Sequence, residues 1–198
     1  MIKKYKTNKN INGLVLAGGK STRMGIDKAL LNYQGIEQQY YLYKMLEKMC
    51  NSVFISCNKN QSNGILKEYN KIIDDDAFSD IGPMAGLISY ATLNNNSSVL
   101  LVACDYPHIK TKDLKYLIKN RKQEYDVVCF YNCESGFDEP LIALYETSAI
   151  MKLKDYYNNG NLSLRHFLST VNTNRLKPLS RNAILSVDTL EMATKLLK

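Results

Sequence analysis

The run Val99-Leu100-Leu101-Val102-Ala103 is apolar at every position, so a strand built from it has no face to give to water and needs cover on both sides. Short runs of similar character occupy residues 12–17, 52–57, 71–73, 126–131 and 141–145. Between them lie helix-like stretches at 38–49, 84–93, 112–120 and 147–157, with a last one at 189–197. Strands that alternate with helical patterns predict an α/β fold with a mostly parallel central sheet and helices on both faces. The segments at 59–64, 94–96 and 132–139 are rich in Asn, Ser and Gly and read as surface connections.

In open parallel sheets, ligands bind beyond the carboxyl ends of the strands. The unusual polar residues of this chain collect at those ends: Gly18-Gly19 after the first strand, Asn58 after the second, Asp74-Asp75-Asp76 after the third and Asp105 after the fourth. The first of these ends carries the densest chemistry. Leu14-Val15-Leu16-Ala17 runs into Gly18-Gly19-Lys20-Ser21-Thr22-Arg23-Met24-Gly25-Ile26-Asp27-Lys28. Glycines let backbone N–H groups approach an anion closely, while Lys20, Arg23 and Lys28 oppose phosphate charge. The segment suits a nucleoside triphosphate.

Gly19-Lys20-Ser21 has the ending of a P-loop, but the position that should hold its first glycine is Leu14, inside the strand. The dinucleotide fingerprint G-x-G-x-x-G is also absent. What the segment does resemble is the L-A-G-G-x-S-x-R-M-G-x-D-K signature of the molybdenum cofactor guanylyltransferases, with every fixed position present. Cytidylyl-transferring relatives usually show L-A-A-G, so Gly19 favours the guanylyl branch. The resemblance continues through Asn58, Asp75 ahead of Gly82-Pro83-Met84-Ala85-Gly86, Cys104-Asp105-Tyr106-Pro107, Glu139-Pro140-Leu141-Ile142-Ala143-Leu144-Tyr145 and Val187-Asp188-Thr189-Leu190-Glu191. It covers nearly the whole chain after Asn12.

The resemblance implies a Rossmann-like three-layer sandwich of the nucleotide-diphospho-sugar-transferase type. It also implies transfer of GMP from GTP to Mo-molybdopterin, with release of pyrophosphate. Leu16, Ala17, Gly18 and Gly19 would then contact the nucleotide through backbone, Lys28 would neutralise the triphosphate, and Asn58 and Asp75 would meet the base and ribose. Asp105 would ligate Mg2+, and Arg23, Lys28 and Asp105 would carry the chemistry. Attack on a triphosphate is slowed by repulsion between anions, so the site must supply cations; one carboxylate with magnesium suffices for the metal part. A solvated loop position is the bland reading of Arg23, and a helix cap that of Asp105.

The chain departs from its relatives near the end, where Asp188-Thr189-Leu190 stands in place of Asn-Thr-Pro. Asp or Thr remains available there as a helix cap; if the segment holds the pterin as the resemblance implies, Asp188 would put a carboxylate near an anionic acceptor. Arg165 and Lys177 are candidates for compensating positive charge. Two other readings stay open: a transferase of the same fold that uses CTP or another phosphorylated acceptor, and a GTP-binding regulatory module without chemistry.

Composition narrows the field further. The net charge of +7 comes largely from a basic tail, with four lysines in the first nine residues, and no basic stripe interleaved with aromatics points to nucleic acid. Residues 1–10 are read as that tail and 11–198 as one domain, its first half binding nucleotide and its second half the acceptor. No secretory or membrane-spanning stretch is present, so a cytoplasmic protein is expected. The resemblance implies other cofactor-biosynthesis proteins and recipient molybdoenzymes as partners. Cys50, Cys57, Cys104, Cys129 and Cys133 match no zinc spacing and read as reduced, mostly buried thiols. His108 and His166 lack a nucleophile nearby in sequence and are read as structural, His108 at the border of the acceptor side.

Overall fold

The computed structural model of the chain describes residues 11–18, 27–78, 81–94 and 96–196. The strands are β1 (Ile11–Leu16), β2 (Val53–Cys57), β3 (Lys71–Ile73), β4 (Ser98–Ala103), β5 (Val127–Asn132), β6 (Phe137–Tyr145) and β7 (Thr173–Leu176). They form one sheet in the order β3-β2-β1-β4-β6-β5-β7. All pairs are parallel except those of β6, which runs antiparallel to both β4 and β5. The helices are α1 (Gln38–Glu47), α2 (Lys59–Ser62), α3 (Met84–Leu93), α4 (Thr111–Lys119), α5 (Thr147–Asn158), α6 (Leu164–Thr170) and α7 (Leu190–Leu196). No helix among the described residues is long and apolar enough to cross a membrane.

β1 and β4 lie side by side at the centre, and every residue of both strands is buried. Their apolar runs therefore need a layer on each face, and side-chain alternation shows which helices supply it. Gly13 abuts Leu46 of α1, whereas Leu16, of opposite parity, abuts Gly86 of α3, so α1 and α3 cover opposite faces.

Gly86 accounts for the last position of the Gly82-Pro83-x-x-Gly86 motif. A methyl group added there would stand 2.2 Å from Ser56 Oγ and 2.6 Å from Leu16 Cδ2. Gly82 has φ +65°, a left-handed conformation that glycine adopts without steric cost and that turns the chain into α3. The motif thus brings the first turn of α3 down onto the ends of β1 and β2.

Four regions differ from the sequence expectations, one of them helix α6, which lies outside the helix-like stretches. Residues 59–64, read as a loop, begin with helix α2. Residues 132–139, also read as a loop, form the tip of the β5–β6 hairpin, with Gly136 at φ +72°. β7 was not anticipated, because it is a polar strand at the sheet edge with only Thr173 buried. The expected state of the thiols agrees with the structure: all five cysteines are free, and Cys133 alone of them is exposed. Gly86→Ala is expected to lower stability by about 1–3 kcal/mol through overpacking, despite alanine's better helix propensity. Urea denaturation of the variant beside the native chain measures this.

Candidate nucleotide site

The carboxyl ends of β1, β2, β3 and β4 open together into a cavity of about 480 Å³, within the range of small-molecule sites. Leu16, Ala17, Gly18, Lys28, Asn58, Asp75 and Asp105 all line it, as do Asp74 and the Gly82–Gly86 turn. The structure therefore brings these expected site residues around one space. Gly19, Lys20 and Arg23 lie outside the described residues.

Lys28 begins a short 3-10 turn, residues 28–30, capped by Asp27, whose carboxylate accepts from the Ala29 N–H at 3.0 Å. Its Nζ lies 3.4 Å from Asp105 Oδ2 and 3.0 Å from Asp188 Oδ1. Burial pushes the Asp105 carboxyl above its ordinary pKa; Lys28 pulls it back down, and Asp188 pushes the same way as burial. Asp105 is not the cap of the helix that follows, since α4 starts only at Thr111, where Asp113 accepts from the Lys110 N–H. The Val187 N–H donates to the Asp105 carbonyl at 2.8 Å, which ties the 186–188 segment to the β4 end. The cap of α7 is Thr189, whose hydroxyl accepts from the Met192 N–H, and Asp188 is turned to Lys28 instead.

Asn58 caps α2. Its side-chain oxygen accepts from the Gln61 N–H at 3.0 Å, and Gln61 Oε1 accepts from the Asn58 N–H at 3.1 Å. Such a capping box leaves the Asn58 amide nitrogen as the donor available to a ligand. Gln61 Nε2 also donates to the Ala17 carbonyl at 3.1 Å and to Asp27 Oδ2 at 2.5 Å. One side chain thus joins the end of β1, the residue before Lys28 and the start of α2. Sequence reasoning missed Gln61, although Asn58-x-x-Gln61 carries the capping-box spacing.

Of the three consecutive aspartates, Asp75 is exposed and its carboxylate accepts from the Ala77 N–H at 2.9 Å. Asp74, which sequence reasoning passed over, is half-buried and accepts from Ser56 Oγ at 2.7 Å. A methyl group at Gly18 would stand 2.9 Å from Asp74 Oδ2, so glycine is what lets β1's end lie against this carboxylate. The signal was strand alternation: Ile72 is buried and its neighbours are not, which puts Asp74 on the inward side.

Desolvation holds the Asp74 carboxyl above its ordinary pKa, against a smaller opposing contribution from the Ser56 hydrogen bond. A raised folded-state pKa means that ionising the group costs stability as pH rises through that pKa. Asp74→Asn keeps an acceptor for Ser56 and removes this cost. It is expected to melt above the native chain at pH 7, with the difference closing as the pH falls below about 4. Thermal melts across that range check it.

Tyr106, the residue after Asp105, belongs to a second polar group. Tyr106 Oη donates to Glu139 Oε2 at 3.1 Å, and Asn132 Nδ2 to Glu139 Oε1 at 3.4 Å. Burial raises the Glu139 pKa against opposing pulls from Tyr106, Asn132 and Arg165. Arg165, on α6, places its guanidinium carbon 4.6 Å from the Phe137 ring centre. Lys177 follows β7, with β6 and β5 between that strand and β4. His166 Nδ1 lies 2.8 Å from Tyr156 Oη, and His108 is half-buried.

Residues 13–176 match the family described as "MobA-like NTP transferase domain". The chain is 31% identical over 170 residues to the molybdenum cofactor guanylyltransferase of Yersinia pseudotuberculosis, covering 85% of each chain. It is 36% identical over 148 residues to the molybdenum cofactor biosynthesis bifunctional protein of Synechocystis, spanning 75% of this chain and 42% of that one. Its fold is similar to that of molybdopterin-guanine dinucleotide biosynthesis protein A from Archaeoglobus fulgidus, with TM-score 0.74 and 19% identity, covering 93% of this chain and 96% of that one.

Proposed function

Because this chain belongs to the MobA-like NTP transferase family, we propose that it transfers GMP from GTP to the terminal phosphate of Mo-molybdopterin, forming molybdopterin guanine dinucleotide and releasing pyrophosphate. The observation that carries this reading is the meeting of Lys28 and Asp105, 3.4 Å apart, in the cavity walled by the last residues of β1. A phosphate oxygen of the acceptor attacks the α-phosphorus of GTP. The bond from that phosphorus to the bridging oxygen breaks, and its electron pair leaves with pyrophosphate.

Both reactants are anions, so the chain's contribution is positioning and charge. Leu16, Ala17 and Gly18 present backbone to the nucleotide, Asn58 offers its amide nitrogen, and Asp74 and Asp75 offer acceptors to ribose hydroxyls or base N–H groups. Lys28 faces the phosphates; an incoming triphosphate competes with Asp188 for its ammonium group. Asp105 stands where this pocket meets the acceptor side, marked by Tyr106 and Glu139. Loss of Arg23, a further candidate for phosphate contact, is expected to raise the KM for GTP.

Asp105 also fits a magnesium ion. Its carboxylate is a hard oxygen donor whose burial is offset by a cation, and Asp188 adds a second carboxylate across Lys28. Among the described residues no three His, Cys, Asp or Glu side chains gather around one point. Magnesium tolerates this, because it keeps several waters and takes one or two carboxylates with substrate oxygens. When bound, it supplies Lewis-acid neutralisation of the phosphate oxygens.

Pyrophosphate release measured with GTP, CTP and ATP, each with magnesium and Mo-molybdopterin, tests the proposal; GTP should be preferred, and a CTP preference overturns the guanylyl assignment. Asp105→Asn is expected to abolish release while melting no lower than the native chain, since the variant loses a buried charge. Lys28→Ala should lose about 3–4 kcal/mol of transition-state stabilisation, a drop of roughly two to three orders of magnitude in kcat/KM.

A further inference from the structure

The proposed reaction needs an acceptor surface as well as a nucleotide site, and no residue of the β5–β6 hairpin lines the nucleotide cavity. The hairpin offers the chemistry for an acceptor surface. Phe137 pairs with Asn132, and Glu139 pairs with Phe130. Two residues apart in a strand, Phe137 and Glu139 project from the same face. Phe137 is half-exposed, while Glu139 is buried.

This face is held in place by an irregularity in β6. Cys129 pairs with Ala143, yet the next residue, Phe130, pairs with Glu139, so residues 140–142 have no counterparts on β5. Pro140 has no N–H to give to a ladder. The hydroxyl of the fully buried Tyr145 donates to the Pro140 carbonyl at 2.8 Å and fixes the bowed segment. Bulges of this kind re-aim side chains beside functional sites. Here the bulge ends on Glu139, and Tyr106, the residue after Asp105, reaches it at 3.1 Å.

We infer that the Phe137–Glu139–Arg165 face receives the pterin ring of the acceptor, with Glu139 as the specificity-determining residue. The inference rests on the acceptor class proposed above. A 2-amino-4-oxo pteridine presents an amino group and an adjacent ring N–H on one edge. A carboxylate accepts both, and Tyr106 and Asn132 each occupy only one acceptor position on a Glu139 oxygen, leaving others open. Phe137 supplies an aromatic surface for stacking. The Arg165 guanidinium supplies positive charge for the acceptor's acidic substituents.

A purely structural Glu139 would brace Tyr106 against Asn132 and have no preference among pteridines. Fluorescence titration of the full chain with pterin and with lumazine, in which an oxygen replaces the 2-amino group, separates the two roles. The native chain is expected to bind pterin at least about tenfold tighter than lumazine, because the carbonyl of lumazine would oppose the carboxylate. Glu139→Gln, which preserves shape, should shrink that ratio to below about threefold while leaving GTP–magnesium affinity unchanged by calorimetry. Phe137→Leu, at an exposed position, should weaken both pteridines together without altering their ratio.

An unchanged ratio in Glu139→Gln overturns the inference, as does a native chain with no preference or a Glu139→Gln variant whose affinity for GTP falls in parallel. Neither titration requires turnover. If the native chain discriminates through Glu139 yet releases no pyrophosphate with Mo-molybdopterin, the transfer reaction falls and the subsite stands. Turnover with an unaltered ratio has the opposite meaning.

Discussion

A strand buried along its whole length can offer chemistry only at its ends, and β1 is such a strand. It pairs in parallel with β2 on one side and β4 on the other, between helices on opposite faces. Parallel pairing makes the carboxyl ends of its neighbours emerge at the same rim, so Gly18, Asn58, Asp74 and Asp105 come together without any direct sequence relation. Gly86 brings α3 down onto this rim, and Gly18 lets the chain lie against the Asp74 carboxylate.

Charge at the rim is arranged in alternation. Lys28 stands between Asp105 and Asp188, in a setting where burial raises the cost of an unbalanced carboxylate. Such a group is not a strong source of stability, because desolvation offsets much of the attraction. Lys28 opposes the upward push of burial on the Asp105 carboxyl and lines the cavity. Asp188 joins the C-terminal segment to this arrangement.

The central architecture was legible in the sequence because it follows from burial: the runs 14–17 and 99–103 are apolar throughout, and α3, buried along Met84–Ala91, announces itself as an apolar stretch behind Gly82-Pro83. The glycine and aspartate positions at the strand ends were legible for the same reason. β7 was hidden because an edge strand needs few apolar residues, and Arg175 of that strand makes an ion pair with Asp138 that no local pattern announces. The β5–β6 tip looked like a loop since Asn132, Ser135 and Gly136 serve a turn, while the extended segment beyond it is polar. Asn58 was read for a ligand contact, and its capping partner Gln61 was overlooked. The contact of Asp188 with Lys28 was not legible, because it depends on tertiary packing of residue 187 on the β4 end.

Asp105 lines the nucleotide cavity, and the residue after it, Tyr106, reaches Glu139 of the β5–β6 hairpin. The most direct measurement is anomalous diffraction from crystals grown with GTP and Mn2+. The account predicts a manganese peak about 2 Å from an Asp105 carboxylate oxygen, with Lys28 drawn from Asp188 onto a phosphate oxygen. A nucleotide and metal bound elsewhere, with Lys28 still bridging Asp105 and Asp188, would contradict it.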